Sequence, residues 1–452
     1  MAGRKTLHDT VVKNFVTECM KKIRPVHWNY SLVINTEKGI VNIFRVTSIH
    51  KYGNFVTNYT DEITLECMCN TKDFFDKIVP SENDLQCTLI ATQYSETGNF
   101  EIDNSTPKIR KYRGLLSNIP ERGITESTGQ GKEIPNPDLT YTTFTIQLID
   151  ADILKLKMAT FACMFNKTNP FEALCMALDG VGSDYGIVGI NRPVNPDVTA
   201  MRMMIVPRGT LIKDIAHYIQ KTYGIYNHGI GLYVHMIDEE YYWCLYPIFN
   251  NKRYQKEKDK LTITVVDQNY NNMENGNQKR TYFVDDKNVN VYVTAEVDIK
   301  KDRYNELNNS TGVQYMNLKE LVDKTRTDVA PNQVYKDGAS ALSSMDFVGR
   351  QDGIQNLKQV YRQTMNTASL ASEVVGNQGD YVNLTWRYAD PDLIKPGMPV
   401  KIRYIGTDNI KTLYGTLHEY HAAYALPQAS PLETAMVCNV AMNIYVTDEE
   451  PS

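Results

Sequence analysis

No apolar run in this chain approaches the roughly 20 residues that a membrane-spanning helix needs, so no membrane insertion of the chain is expected. A basic excess is also missing: 48 Lys and Arg stand against 53 Asp and Glu, a formal net charge of −5. Neutralising many phosphates takes a cationic surplus, so specific nucleic-acid binding is not expected. The opening segment MAGRKTLHDTVVKNF lacks the apolar core of a signal peptide, which argues against general secretory export. Cysteine is modest in number and scattered: Cys19, Cys67, Cys69, Cys87, Cys163, Cys175, Cys244 and Cys438. They fall mostly on apolar positions without metal-ligand spacing and read as reduced core residues of a protein made in a cytoplasm.

What is present suits a multidomain globular protein. At 452 residues, two to four domains are expected. Hydrophobic residues make up 42% and charged residues 22%, both ordinary for a globular chain. The 29 Tyr against 13 Phe and 3 Trp point to many half-buried strand faces.

Along the chain, residues 9–23 read as an amphipathic helix, with Val12, Phe15, Val16, Cys19, Met20 and Ile23 on one stripe. From 27 to 150 the pattern is β. Segments 62–69 and 85–91 alternate cleanly, 71–77 is a short helical piece, and 114–139 is a loop rich in turn residues. Residues 151–179 turn helical on Phe171, Leu174, Cys175 and Leu178, and 261–266 and 281–298 return to β around an Asn-rich tract at 267–280. Segment 300–378 is polar and weakly periodic, an extended arm. Strands close the chain at 380–388, 400–405, 413–420 and 436–446, with a turn at 396–399.

The most informative block is 210–254. Leu211, Ile212, Ile215 and Ile219 fall at helical spacing, with Thr210 placed as N-cap and Gly224 as a left-handed C-cap. Two aromatic-rich strands follow, 229–237 and 241–249, joined at Asp238-Glu239-Glu240. The block is dense in packing residues and nearly empty of catalytic ones.

Candidate chemistry fails on spacing. Gly180, Gly182 and Gly186 miss the dinucleotide fingerprint by one residue, and no ribose-binding carboxylate accompanies them. Around Gly129-Gln130-Gly131-Lys132, Glu126 and Glu133 occupy positions where a phosphate loop requires Gly and Ser or Thr. In His418-Glu419-Tyr420-His421 the second His comes one residue early for a zinc protease, so both read as surface histidines. His217, His228 and His235 have no ligand partners at the right spacing, and Asp238, Glu239 and Glu240 read as a solvated hairpin tip. Catalytic residues, metal ligands and cofactors are therefore all expected to be absent.

Three places carry a family resemblance. Tyr223-Gly224-Ile225-Tyr226, Gly229-Ile230-Gly231 and Trp243-Cys244-Leu245-Tyr246-Pro247 resemble the helix-hairpin of phage tail baseplate hub proteins. Residues 59–63 with 85–89 resemble that family's first barrel. Thr385-Trp386 through Pro396-Gly397-Met398-Pro399-Val400 to Gly415-Thr416-Leu417 resembles its closing barrel. The type VI secretion spike protein VgrG uses a similar hub.

The resemblance implies a mainly β fold with α+β elements: two tube-protein-like β-barrel domains, a helix-hairpin domain and an extended arm. The expected division is an N-terminal helix at 1–26, a first barrel at 27–150 and a helical and hairpin domain at 151–260. The second barrel begins at 261–299, is interrupted by the arm at 300–378, and is completed at 379–452. It implies a structural virion protein, the homotrimeric hub of a tail baseplate, which joins a hexameric tail tube to a trimeric spike. Wedge and tape measure proteins are further expected partners. The packing motif would be Tyr223, Gly224, Tyr226, Gly229, Gly231, Trp243, Tyr246, Pro247, Pro396, Gly397 and Pro399. A different tail-tip, wedge or host-binding virion protein is the alternative, with a tail-borne cell-wall hydrolase behind it.

Overall fold

The computed structural model describes residues 26–96, 102–104, 107–118, 141–237, 240–266, 281–294, 313–315, 358–360, 380–406, 409–426 and 435–447, and part of a helix between residues 7 and 17. The chain is mainly β with few helices, as the strand alternation implied. Eight strands fill the first part: β1 (Val26–Thr36), β2 (Gly39–Asn42), β3 (Arg45–Asn54), β4 (Glu62–Asn70), β5 (Leu85–Glu96), β6 (Ile102–Asn104), β7 (Lys108–Asn118) and β8 (Tyr141–Asp150). β4 shows why they form: Ile63, Leu65, Cys67 and Cys69 alternate inward, leaving Glu62, Thr64, Glu66 and Met68 outward. A short helical segment from Thr71 to Ser81 follows it and buries Phe74 and Ile78.

The middle of the chain holds β9 (Thr160–Thr168), β10 (Ile187–Asn191), β11 (Met201–Leu211), β12 (Ile230–Ile237) and β13 (Glu240–Pro247). Helices Ala151–Leu156, Pro170–Gly182 and Ile215–Thr222 pack among them. The last part comprises β14 (Lys260–Val266), β15 (Tyr282–Asp285), β16 (Asn288–Thr294), a small pair β17 (Val313–Tyr315) and β18 (Lys358–Val360), then β19 (Asp380–Trp386), β20 (Pro399–Ile405), β21 (Ile410–Ala425) and β22 (Val437–Thr447).

One sheet runs through both ends of the chain, in the order β15-β16-β14-β20-β21-β3-β4-β8-β7-β5-β1-β2, with β22 joining β21 and β19 joining β22. It closes on itself once. Trp28 of β1 and Met436, just ahead of β22, exchange backbone hydrogen bonds of 2.9 and 2.6 Å. This completes a ring of β1, β5, β7, β8, β4, β3, β21 and β22, a closed barrel that leaves no sheet edge among those strands. β15, β16, β14, β20 and β19, together with β21 and β22 again, curl into a second barrel-like unit. Its free ends meet at Thr281, whose hydroxyl donates to Arg387 O (2.6 Å) and accepts from Trp386 Nε1 (3.1 Å).

β21 and β22 therefore belong to both units. β21 pairs with β20 from Ile410 to Thr416 and with β3 from Glu419 to Ala425, while β22 runs beside it almost throughout. One apolar core spans the whole sheet. A second core lies under the middle helices and the β10-β13-β12 sheet.

Several local expectations change. The stretch 151–179 is not helical throughout, because β9 stands between two helices. Only Phe165 of β9 is buried, so its alternation left no apolar signature. Thr210 does not cap a helix. It pairs with Phe161 across the β11–β9 ribbon and donates to Pro207 O. The chain enters the helix through a tight turn at Ile212–Asp214, and burial of Ile212, Ile215 and Ile219 fixes that helix in place. Segments 119–140 and 267–280, and most of 300–378, lie outside the described residues. Of the N-terminal stripe, Phe15 is described and packs its ring on Phe283 and Tyr292.

Candidate functional site

The point where β21 passes from one barrel to the other carries a register irregularity between Leu417 and Glu419, so His418 is the bulged residue. A bulge re-aims its side chain, and here the imidazole turns inward. His418 is buried, its Nε2 lies 2.7 Å from Ile248 O, and its ring stacks on Tyr445 with 6° between planes. The carbonyl acceptor requires a proton on Nε2. Nδ1 then accepts from the Tyr381 hydroxyl at 3.2 Å. Burial is the main reason its pKa falls from 6.5 to about 4, outweighing the Ile248 contact and Glu419. The expected surface histidine is thus a neutral, buried joint residue. His421 lies three positions on and stacks against His50, with Nδ1 of His50 3.1 Å from Nε2 of His421.

Close by, two of the sequence segments singled out above meet. Tyr246 of β13 is fully enclosed and donates from its hydroxyl to Phe55 O at 2.7 Å. Its ring lies against Gly231 on the neighbouring strand β12 and against Gly397 of the Pro396–Pro399 turn. A Cβ at Gly231 would stand 2.2 Å from the ring, and one at Gly397 2.1 Å. Gly397 also has φ +59°, in the left-handed region that favours glycine. Pro396 and Pro399 are buried on either side.

Arg253 completes the joint. Its guanidinium donates to Pro247 O (3.0 Å) and Gly397 O (2.7 Å), and forks onto Glu257 at 2.5 and 3.0 Å. One buried cation thereby ties the end of the hairpin to the turn that opens β20.

The other motif residues hold the middle unit together. Trp243 is buried and donates from Nε1 to Leu178 O at 3.2 Å, passing over Gly182. Gly224, at φ +81°, closes the preceding helix by donating to Ile219 O and Gln220 O. Gly229, at φ +70°, lies against Ile248 and Phe249. The hydroxyl of Tyr226 bonds Val194 O, and that of Tyr223 reaches Ile205 on β11. Gly182 and Gly186, considered above as phosphate-binding glycines, instead admit the Trp243 ring and end a helical turn at φ +72°.

A polar cluster joins the hairpin to the first barrel. Asp61 Oδ1 accepts from Tyr233 (2.7 Å) and Tyr420 (2.8 Å), and Oδ2 pairs with Lys51 at 2.9 Å. Gly53 leaves the room: a Cβ there would sit 2.3 Å from the Tyr420 ring. Burial works to raise the Asp61 pKa, but Lys51, His235 and the Tyr233 hydroxyl outweigh it and hold the carboxyl below its usual range. The Tyr241 hydroxyl donates to Asp150, which also caps helix Ala151–Leu156.

Sequence reasoning did not single out His418 as a joint, nor Arg253 or Asp61. Arg253 and Glu257 at i,i+4 form a visible pair, but nothing in spacing marks it as buried.

Inside the first barrel lies a cavity of about 60 Å³ lined by Trp28, Tyr30, Lys51, Lys108, Arg110, Tyr112, Asp392 and Tyr424, among others. Lys108 pairs with Asp392 at 2.8 Å and Lys51 with Asp61, while Arg110 hydrogen-bonds Tyr112. Among the described residues no group of His, Cys, Asp and Glu is arranged to hold a metal ion. Cys69, Cys87 and Cys244 are buried thiols pushed up to about 12 by burial, whereas Cys163 is exposed, against expectation. Cys19 lies outside the described residues.

No family model matches this chain, and no curated protein matches it in sequence. Solved structures do. The chain is similar to a tail protein from Neisseria meningitidis, at 9% identity and TM-score 0.43, covering 92% of this chain and 96% of that one. It is similar to a 43 kDa tail protein of a Shewanella oneidensis prophage, also at 9% and 0.43, covering 93% and 99%. A third similar structure is an Escherichia coli component of the type VI secretion system, described as resembling bacteriophage tail proteins, at 7% and 0.39, covering 92% and 77%.

Proposed function

We propose that this chain is a non-enzymatic structural protein of a phage tail, the homotrimeric central hub of its baseplate. In that reading the two barrel units share β21 and β22, and the motif residues from Tyr223 to Pro399 shape packing and carry no chemistry. Two barrels per subunit give six around a threefold ring, a surface that a hexameric tube can meet. A threefold spike docks on the other face.

The sharing of β21 and β22 between the two barrel units carries the proposal. An adaptor between symmetries needs two similar units held in one fixed relation, and a continuous hydrogen-bonded strand supplies this where a flexible linker would not. The residues that lock the arrangement, Tyr246, Gly397, Arg253 and His418, gather at that crossing. The resemblance of segments 223–247 and 385–417 to the hub family agrees with it.

Negative-stain imaging of purified protein should show rings of three copies that stack on the ends of tail tubes. A stable monomer throughout the micromolar range would overturn the hub reading. Clearing of peptidoglycan in a zymogram would overturn the non-enzymatic part.

A further inference from the structure

A small closed barrel ordinarily fills its inside with apolar side chains. The first barrel departs from this along one cavity. Lys108 and Arg110 stand on the inward positions of β7, two residues apart, and Lys51 stands inward on β3, three strands away around the ring. All three line a space of about 60 Å³. The Lys108 and Asp392 side chains are 39% and 36% exposed, so this space is open to solvent on their side.

A charge taken out of water needs a partner. Lys51 has Asp61 at 2.9 Å, and Lys108 has Asp392 at 2.8 Å. Among the described residues Arg110 has no carboxylate at such a distance. It bonds the Tyr112 hydroxyl and meets the charge of Asp392 only at longer range. Asp390, next to Asp392, does not restore the balance. Burial, and then Asp392, push its carboxyl up to about 7, so part of its charge is missing at neutral pH. The cavity wall itself carries three cations and one carboxylate.

Trp28 adds a donor without an acceptor. It is 2% exposed and lines the same cavity, and its indole N–H has no hydrogen-bond partner among the described residues. Buried donors are ordinarily satisfied. Surplus positive charge and a spare N–H on one cavity both call for an anionic acceptor. We propose that the first barrel binds a small oxyanion here, of the phosphate, sulfate or short-carboxylate class, held by Arg110 with Lys108, Lys51 and the Trp28 N–H around it.

The alternatives fit less well. A metal cation would meet three positive charges, and an apolar guest would leave Arg110 unmet. At roughly 10–15 Å³ for each water, 60 Å³ has room for a tetrahedral oxyanion. The guanidinium fork matches two oxygens of such an ion, which chloride cannot offer. Asp392 competes with the guest for Lys108. The bound ion would join β7 and β3 to the Pro391–Leu393 turn between β19 and β20, and so brace the first barrel against the second unit.

Calorimetric titration of the full chain with phosphate and with acetate tests this, alongside melting temperatures against chloride at matched ionic strength. An oxyanion should bind at one site per chain and raise the melting temperature, because it binds the folded state alone. Arg110→Gln should weaken binding by roughly tenfold or more. Asp392→Asn frees Lys108 and should tighten it, a direction that damage to the fold would not produce. Trp28→Phe, which keeps a ring and removes the N–H, should weaken it less than Arg110→Gln does. Binding of phosphate without acetate, or the reverse, supports the site and fixes the shape of its guest. No binding of either ion at millimolar concentration, chloride binding equally well, or affinity unchanged in both Arg110→Gln and Asp392→Asn overturns it. The ring assembly is not involved, since a single subunit contains the whole site.

Discussion

Tyr246 lies so close over Gly397 that a methyl group on the glycine would stand 2.1 Å from the ring. The two residues are far apart in sequence, and their contact is the seam between the hairpin and the second barrel.

Gly397→Ala should therefore destabilise the protein by about 2–4 kcal/mol, combining left-handed backbone strain with overpacking. Gly186→Ala is the control: its φ of +72° is equally unfavourable, but no atom lies within 4 Å of the added carbon. It should cost only about 1–2 kcal/mol. Urea unfolding of both variants checks the ordering, and equal losses would deny the clash.

Arg253→Met leaves Glu257 without its guanidinium partner and strips two carbonyls of a donor. A loss of about 3–5 kcal/mol is expected. Arg253→Met combined with Glu257→Gln should recover part of it, because the unpaired charge is gone. Denaturant midpoints for the single and double variants would read this out.

His418 makes stability fall with acid. Its folded pKa of about 4 lies below the unfolded 6.5, so the unfolded chain takes up the proton first. Its contribution is complete above pH 6.5 and is lost as pH falls towards 4, at up to about 1.4 kcal/mol per pH unit. His235 is shifted the same way, chiefly by burial, to about 4. His418→Gln should flatten the slope in that window, as followed by melting temperature from pH 7 to pH 4. An unchanged slope would exclude His418 as its source.

The two barrels should unfold together. Leu65→Ala in the first and Ile402→Ala in the second each remove a fully buried side chain, at a cost of about 2–5 kcal/mol. Both should shift one shared calorimetric transition. Two separable transitions would mean that β21 does not couple the units.

Strands with one buried face were legible in the sequence. β4 and β22 alternate because the barrel wall has an inside and an outside, and period-two patterns record that directly. β9 and β11 were not, because exposed apolar residues such as Met164, Met203 and Ile205 alternate with the buried ones, which blurs the pattern. At the joint, Tyr246, Gly231 and Gly397 were noticed as motif residues, but their meeting was hidden because they stand on separate elements. His418 was misread for a related reason. A strand pattern assigns its face by parity, and a one-residue bulge reverses it. Arg253 was passed over because a charged residue beside a turn ordinarily faces water.

β21 is 16 residues long, about 53 Å at the usual rise per residue. A strand of that reach, bonded along both flanks, behaves as a stiff spar. Pull or twist applied to one barrel passes to the other as shear along rows of hydrogen bonds, where no single bond yields alone. A load entering one barrel would find no slack at this crossing on its way to the other.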